Sequence, residues 1–310
     1  MNDTKLYKCF LVGMILINSC VLDCSDTEKT SEGKKEKYMD AAAIERLIAD
    51  GNSEVIDLEN LAKIEKKEYH FIGKYITSSN MRVKDVALCF LRSMNQSWCY
   101  KWYLQLLGDP DPQIRAGAGD GILQLKTVGN ANEILYYMEN EKKNYSGDVA
   151  AIQYLIKVVG NIGNSDDVKQ LKEIVSSVKT NEVEKNKIQK ALFAACTKLE
   201  DKDTVHTVEN MLATGSSVER MEALEIVQYT EKAKWIPYVI PLLQDKSEAV
   251  SFEIGNNRVS KSVCDYAANA LLYIDPAKKL PIEPLGPFPY SDQKIEEVKK
   301  LYGLDENENK

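Results

Sequence analysis

The stretch from Asp109 to Leu125, with the sequence DPDPQIRAGAGDGILQL, restricts the fold more than any other part of the chain. Asp111 is a favourable helix N-cap, and Pro112 suits the first helical position, where its missing N–H costs no hydrogen bond. Apolar residues then recur at helical spacing along one stripe: Ile114, Ala118, Ile122 and Leu125. Three glycines lie beside this stripe, and each lowers the stability of a helix by about 1 kcal/mol relative to alanine. They indicate that a neighbouring helix approaches closely. A phosphate-binding loop is disfavoured, because its glycines would follow a strand and open a helix.

Degenerate copies of this unit recur along the chain. Helices of one kind, termed A-type, are predicted to begin near residues 83, 113, 148, 182, 217 and 263, and the first five are each followed by a B-type partner. The turns at 127–130 and 161–164 repeat the same pattern 34 residues apart. Helix pairs that repeat in this way stack into a solenoid. The sequence therefore predicts an all-α fold, an α-solenoid of about five to six helix pairs with atypical caps.

The repeated motif resembles HEAT repeats, in the variant called PBS-lyase HEAT-like. Residues 109–123 and 263–271 carry the resemblance, which extends over about residues 80–275. It implies that a turn aspartate, here Asp109 or Asp111, and the following Arg115 stack as a ladder between repeats. It also implies that the B-type helices line the concave side of the solenoid.

The N-terminus predicts export and lipid anchoring. Two lysines precede an apolar run that is too short to span a bilayer. The following residues, Ile17 to Cys20, resemble the lipobox of bacterial lipoproteins, which implies that Cys20 is lipidated. Asn18 departs from the lipobox pattern, so ordinary signal cleavage and secretion remain an alternative. The predicted location is the bacterial cell envelope, with membrane attachment through the N-terminal lipid.

Five segments follow from these patterns. They are a signal peptide (1–19), a disordered tether (20–38), an N-terminal helical cap (39–78), HEAT-like repeats with an insertion at 246–262 (79–275), and an extended Pro-rich segment with a C-terminal helix (276–310). Between its two apolar strands, the insertion carries Gly-Asn-Asn, which suggests a small hairpin. The hairpin is predicted to cover the last open helix, and a binding role is the alternative.

Composition excludes several kinds of site. The net charge of −7 and the absence of an Arg/Lys stripe argue against nucleic-acid binding. The two histidines lie far apart and no cysteines have Cys-x-x-Cys spacing, so no metal or cofactor is expected. Cys89 and Cys99 could form a disulfide or pack as small apolar residues. Since no catalytic motif is found, the chain is predicted not to be an enzyme.

The remaining functional candidate is a surface. The predicted B-type helices are rich in aromatic residues, and adjacent aromatic positions on a helix cannot all face the core. Exposed aromatic side chains in a groove are typical of interaction hot spots. The predicted partner-binding residues are Trp102, Tyr103, Tyr137, Trp235 and Tyr238. The sequence thus predicts a scaffold that binds a protein or peptide on its concave surface. The alternatives are an enzyme or enzyme accessory, such as a lyase-like subunit, and a purely structural envelope protein.

Overall fold

The fold is known from a computed structural model, which describes residues 45–46, 48–49, 72–126, 128–141, 149–255 and 257–304. Within these residues the α-helices are α1 Ile72–Ile76, α2 Met81–Met94, α3 Tyr100–Leu107, α4 Pro112–Gln124, α5 Ala131–Glu141, α6 Val149–Ile162, α7 Asp167–Ser176, α8 Glu182–Lys198, α9 Lys202–Thr214, α10 Ser217–Thr230, α11 Ile236–Val239, α12 Val263–Ile274 and α13 Asp292–Leu301. Two antiparallel strands, β1 Glu248–Ile254 and β2 Asn257–Ser262, form a hairpin between α11 and α12. The predicted signal peptide and tether, with Cys20, lie outside the described residues.

The A-type helices begin where the sequence supplies a capping side chain. Asp111 accepts hydrogen bonds from the main-chain N–H groups of Gln113 (2.7 Å) and Ile114 (3.3 Å), which caps α4. Three further A-type helices, α2, α8 and α10, are capped in the same way by Asn80, Asn181 and Ser216. Because these caps are local signals, they set the helix starts independently of the tertiary fold.

The A-type helices α2, α4, α6, α8, α10 and α12 pack against one another in chain order. Their B-type partners α3, α5, α7, α9 and α11 form a second layer, and the apolar core lies between the two layers. Five helix pairs followed by α12 make up the described part of the array. The prediction of an all-α solenoid of five to six HEAT-like pairs is confirmed.

Small residues allow the A-type helices to pack closely. A Cβ atom placed on Gly119 of α4 would lie 3.1 Å from the Cβ of Tyr154 on α6. A Cβ atom on Gly160 of α6 would lie 3.0 Å from the Cα of Ala195 on α8. Both glycines are therefore packing residues, as the sequence predicts for Gly119. The helix stability that each glycine loses is offset by close packing of the neighbouring helices.

Contacts between helices that are not adjacent show which side of the array is concave. The hydroxyl of Tyr229 on α10 donates a hydrogen bond to the carbonyl of Lys157 on α6 (2.6 Å), across α8. Lys126, which follows α4, forms an ion pair of 2.8 Å with Glu231, which follows α10. Such contacts require the row of A-type helices to curve inward. The A-type helices therefore line the concave side.

The sequence-based placement of the B-type helices on the concave side is wrong. In a curved two-layer array, the layer whose helices are more closely spaced lies on the inside. Small residues such as Gly119 and Gly160 belong to the A-type helices, so these can pack more closely. The B-type helices lie on the convex side, where aromatic side chains are not gathered into a groove.

The last B-type segment differs from the others because of its prolines. Pro237 and Pro241 each lack a main-chain N–H, and the segment is divided into a 3₁₀ turn at 233–235, the short helix α11 and a second 3₁₀ turn at 240–244. The hairpin packs against α10 and leads directly into α12.

None of the described helices combines the length and the apolar character that crossing a membrane requires.

Candidate functional site

Two of the five predicted partner-binding residues are core residues. The side chain of Tyr103 is 1% exposed and that of Trp235 is fully buried. Tyr103 fills the space that Gly121 leaves open on α4, and Trp235 packs in the core around α10 and α12. Neither side chain can contact a partner, so their assignment as binding residues is corrected. Their large apolar areas stabilise the interior instead.

The other three predicted residues lie on the convex side. Trp102 and Tyr137 are half-buried and pack against the core, while Tyr238 is 41% exposed and its hydroxyl donates to Glu209 (3.2 Å). Tyr136, beside Tyr137, is 70% exposed. A role of these residues in partner binding stays a prediction.

The concave side carries a row of charges that alternate in sign. We term it the concave charge row, and it consists of Arg92 on α2, Asp120 on α4, Lys157 on α6 and Glu225 on α10. Arg92 and Asp120 form a direct ion pair. Burial raises the pKa of Asp120, and the Arg92 guanidinium and the Gln124 amide oppose this rise. Arg92 and Asp120 thus neutralise each other at one end of the row. Lys157 and Glu225, which follow, form no ion pair with described residues.

Lys157 is the unpaired cation of this row. It is the only charged residue of α6, and its ammonium group forms no hydrogen bond or ion pair with any described residue. Its Nζ lies 5.9 Å from the centre of the Tyr229 ring, which is a favourable position for a cation. Burial lowers the pKa of Lys157, and the carboxylates of Glu225 and Asp120 oppose this fall. The side chain of Lys157 is half-buried, so its ammonium group can still donate to an acceptor of a ligand.

Glu225 is the corresponding unpaired anion. Its side chain is exposed to solvent, yet the surrounding protein displaces enough water to raise the pKa of its carboxyl group, while Lys190 opposes the rise. Its carboxylate forms no hydrogen bond or ion pair within the part of the chain that the structure describes. Glu225 is therefore a solvent-exposed anion of the concave face.

Aromatic side chains surround these charges. Tyr229 lies one helical turn after Glu225 on α10, and its hydroxyl is fixed by the carbonyl of Lys157. Tyr154 on α6 and Tyr266 on α12 are half-buried. Burial raises the pKa of both phenols, so they are neutral hydrogen-bond donors in the physiological pH range. The concave face thus combines unpaired charges with rings that a ligand can pack against.

An extended segment of the chain is already bound beside this face. Residues 280–290, which we term the C-terminal strap, run along α12. The main-chain N–H of Leu285 donates to Asn269 Oδ1 (2.8 Å), and that of Tyr290 donates to Asp265 Oδ1 (2.9 Å). Lys261 Nζ donates to the carbonyl of Gly286 (2.6 Å). Side chains of α12 and β2 thus hold an extended main chain through its own polar groups.

The strap lies next to the concave charge row. The side-chain amide of Asn269 also donates to Gln228 Oε1 on α10 (2.8 Å). Gln228 follows Glu225 by three residues, so the two side chains are neighbours on the helix surface. The strap therefore ends the concave face at α12 and leaves α4, α6 and α10 uncovered by any described segment.

A second depression, of about 410 Å³, lies at the ends of α6 and α8. It is lined in part by Lys198, Glu200 and Lys232. Lys232 forms an ion pair with Glu200, and Lys198 Nζ donates to the carbonyl of Tyr229 (2.9 Å). These charges are satisfied within the protein, whereas Oδ1 of Asn161, which also lines the depression, is buried without a hydrogen-bond partner among the described residues.

The predicted ladder residues have distinct contacts. Asp109 forms an ion pair of 2.5 Å with Lys84 of the preceding repeat, and both side chains are buried. The same spacing of 25 residues recurs in the pair of Arg220 with Asp245, at 2.7 Å. Arg115 donates to the carbonyl of Asp109 (2.6 Å), which stabilises the turn before its own helix. Lys84 is not among the predicted ladder residues, although it is the fourth residue of its A-type helix, as Arg115 and Arg220 are of theirs.

Four cysteines lie among the described residues. Cys89 and Cys99 are not joined by a disulfide. Burial raises the pKa of Cys99, Cys196 and Cys264 to about 11 each. A thiol with such a pKa is a poor nucleophile near neutral pH. Within the described ranges, no cluster of three or more His, Cys, Asp or Glu residues is arranged to hold a metal ion.

Comparison with models of protein families and with curated proteins finds no match. Among solved structures, the chain is similar to the complex of CpcE and CpcF of phycocyanin lyase from Nostoc sp. PCC7120. The two share 12% sequence identity, with a TM-score of 0.47, over 90% of this chain and 100% of that one. The stacked helix pairs of the described residues decide the architecture. The chain is a HEAT-like α-solenoid. The resemblance to PBS-lyase HEAT-like repeats is confirmed as a matter of fold, and the match assigns no substrate.

The same match corrects one prediction. The chain was predicted not to be an enzyme, because it lacks known catalytic motifs. The matched solenoid belongs to a lyase complex, so the lack of such motifs in a HEAT-like chain is no ground for excluding an enzymatic role. That prediction is contradicted and is not retained.

Proposed function

We propose that this solenoid is a scaffold that binds an extended segment of a partner protein on its concave face. The observation that carries the proposal is the C-terminal strap, because it shows how side chains of the last repeat hold an extended main chain. Asn269 and Asp265 accept main-chain N–H groups, and Lys261 donates to a main-chain carbonyl. The uncovered part of the same face offers acceptors, donors and aromatic rings of the same kinds.

Charge complementarity supports an occupant rather than an empty face. Lys157 is half-buried and Glu225 is exposed, and neither forms a hydrogen bond or ion pair with described residues. Both charges are therefore free to bind opposite charges of a partner segment. Curved solenoids generally use the concave surface for binding. The matched complex consists of two different proteins, CpcE and CpcF, which is compatible with a protein partner for this chain.

Peptides selected on the full chain from a random display library test this proposal. We expect Tyr154→Ala and Tyr266→Ala to weaken their binding at least tenfold, as measured by fluorescence anisotropy, because both rings line the concave face. The matched control is Tyr136→Ala, since this ring is 70% exposed on the convex side. If Tyr136→Ala weakens binding and the concave variants do not, the proposal is wrong.

For the location, we propose an exported, lipid-anchored protein of the bacterial envelope. The support is the lipobox-like sequence that ends at Cys20, preceded by basic residues and an apolar run. We expect Cys20→Ala to move the protein from the membrane fraction to the soluble fraction, as measured by immunoblotting of fractionated cells. Unchanged membrane retention would contradict lipid anchoring.

An enzyme or enzyme-accessory role is the second candidate. The observation that favours it is the proximity of Lys157 and Glu225 on the concave face, where burial lowers the pKa of the lysine and raises that of the carboxyl group. Such opposed shifts within one cleft are typical of groups that exchange protons with a substrate. Native mass spectrometry of the purified chain tests this role, and a retained small molecule that Lys157→Ala releases would favour it over the scaffold.

A further inference from the structure

The depression at the ends of α6 and α8 has the features of a second binding site. Its volume of about 410 Å³ is within the range of small-molecule sites, roughly 300–1,000 Å³. One wall is the turn between α6 and α7, with Asn161 and Ser165, and the other holds Lys198 at the end of α8 and Lys232 after α10. None of the residues of the concave charge row lines it. Polar groups of opposite kinds, an amide and two ammonium groups, thus share one recess.

Asn161 contributes an acceptor that the protein itself leaves unused. Its Oδ1 is closed off from solvent and has no hydrogen-bond partner among the described residues. Rotation of the amide about the Cβ–Cγ bond therefore breaks no hydrogen bond of this oxygen and can bring it to the surface of the depression. A buried acceptor without a partner lowers stability, so a ligand N–H that meets this oxygen stabilises the bound state.

Lys198 contributes donors on the opposite wall. Its Nζ donates to the carbonyl of Tyr229 (2.9 Å) and lies 4.0 Å from the carboxylate of Glu231. That carboxylate is shared with Lys126, which lies closer to it, at 2.8 Å. Since an ammonium group has three N–H donors, Lys198 keeps donors for a ligand that enters the depression.

The described residues around the depression carry a surplus of positive charge. Glu200 is the carboxylate that lines it, and it pairs with both Lys232 and Lys234. With Lys198, three lysines therefore lie around one glutamate. In a chain with a net charge of −7, such a local surplus favours an anionic group of a ligand.

We propose that this depression binds a carboxylate that carries an N–H group on its α-carbon, as at the free C-terminus of a peptide or in an N-acylated amino acid. The carboxylate lies against Lys198 and Lys232, and the N–H donates to Oδ1 of Asn161. Both ligand groups are attached to one carbon atom, so a unit of a few atoms serves both walls. This site is independent of the proposed function, because the concave residues that carry that function do not line the depression.

Matched probes titrated into the full chain by isothermal calorimetry test this inference. We expect N-acetylalanine to bind at least tenfold more tightly than its methyl ester, which lacks the negative charge. The same preference is expected over O-acetyllactate, which has an ester oxygen in place of the N–H. Acetylated tetra-alanine with a free C-terminus should likewise bind at least tenfold more tightly than its C-terminal amide. Tighter binding of this peptide than of N-acetylalanine identifies a chain end as the ligand, and equal binding identifies the small molecule.

Two variants and a matched control locate the site. Lys198→Gln removes the ammonium group, and Asn161→Leu replaces the amide by an apolar side chain of similar size. We expect each to weaken binding of N-acetylalanine at least tenfold, and Asn161→Leu to retain the parent melting temperature, because its Oδ1 has no partner to lose. Lys190→Gln changes a lysine of the same helix that does not line the depression and should leave binding unchanged. If both site variants bind N-acetylalanine as tightly as the parent chain, or if no probe shows saturable binding, the proposal is wrong.

Discussion

Substitution of Trp235 by alanine is expected to lower the free energy of unfolding by about 3–5 kcal/mol, which is the range for removing a large aromatic side chain from a core. The side chain is fully buried and belongs to the core cluster that joins α10, α12 and the last B-type segment. The loss corresponds to a fall of roughly 10 °C in melting temperature. Thermal and urea unfolding followed by circular dichroism measure it.

Two variants of the same segment serve as controls. Tyr238→Ala removes a ring that is 41% exposed and packs edge-on against Trp235, at 5.9 Å between ring centres. We expect it to cost less than about 1 kcal/mol. Trp235→Phe keeps most of the buried area and removes an indole N–H that has no hydrogen-bond partner among the described residues, so it should cost less than about 2 kcal/mol. A Trp235→Ala variant as stable as the parent chain would show that Trp235 is not a core residue.

The second large effect is expected for Asp109→Ala. The side chains of Lys84 and Asp109 are 8% and 7% exposed, so the substitution leaves a buried ammonium group without its counter-ion. Breaking a buried ion pair by removing one partner costs about 3–5 kcal/mol. The free energy of unfolding from urea titration measures this loss, which weakens the contact between the repeats of α2 and α4.

Comparison with two further variants identifies the cause. Asp111→Ala removes the N-cap of α4 in the same turn and should cost only about 1 kcal/mol. The double variant Lys84→Met and Asp109→Leu replaces both charges by apolar side chains and should recover most of the lost stability, because neither charge is then left buried and unpaired. If Asp109→Ala costs no more than Asp111→Ala, the buried pair is not a major link between repeats.

The helices and their order could be predicted from the sequence because their signals are local. Asp111 with Pro112 specifies the start of α4, and the prolines at 237 and 241 account for the broken last B-type segment. Such signals depend on a few neighbouring residues and do not require knowledge of the tertiary fold. The glycines of α4 were assigned to packing for the same reason, since a helix interior tolerates them only beside a close neighbour.

The concave side could not be predicted in this way. Curvature depends on contacts between residues far apart in the chain, such as Tyr229 with Lys157 and Lys126 with Glu231, which no local pattern reveals. The expectation taken from the family resemblance placed the binding aromatics on the B-type helices. Helical periodicity predicts that one residue of each adjacent pair, Trp102 with Tyr103 and Tyr136 with Tyr137, is less buried than the other. It does not identify which residue of the pair that is.

One signal for the concave face was present in the sequence. Lys157 is the only charged residue in the 14-residue helix α6, which is otherwise mostly apolar. A single lysine within such a helix buries its aliphatic stem and brings its ammonium group to the surface, so Lys157 indicates which face of α6 is accessible. Glu225 carries no comparable signal, because its helix holds several charged residues.

Photo-crosslinking at matched tyrosine positions tests the central claim most directly. Benzoylphenylalanine is placed at Tyr266 on the concave face or at Tyr136 on the convex face of the full chain, and each protein is irradiated with a display-selected peptide. We predict a covalent adduct with the protein substituted at Tyr266, competed by unlabelled peptide, and no competed adduct with the protein substituted at Tyr136. Competed crosslinking at Tyr136 without crosslinking at Tyr266 would contradict binding on the concave face.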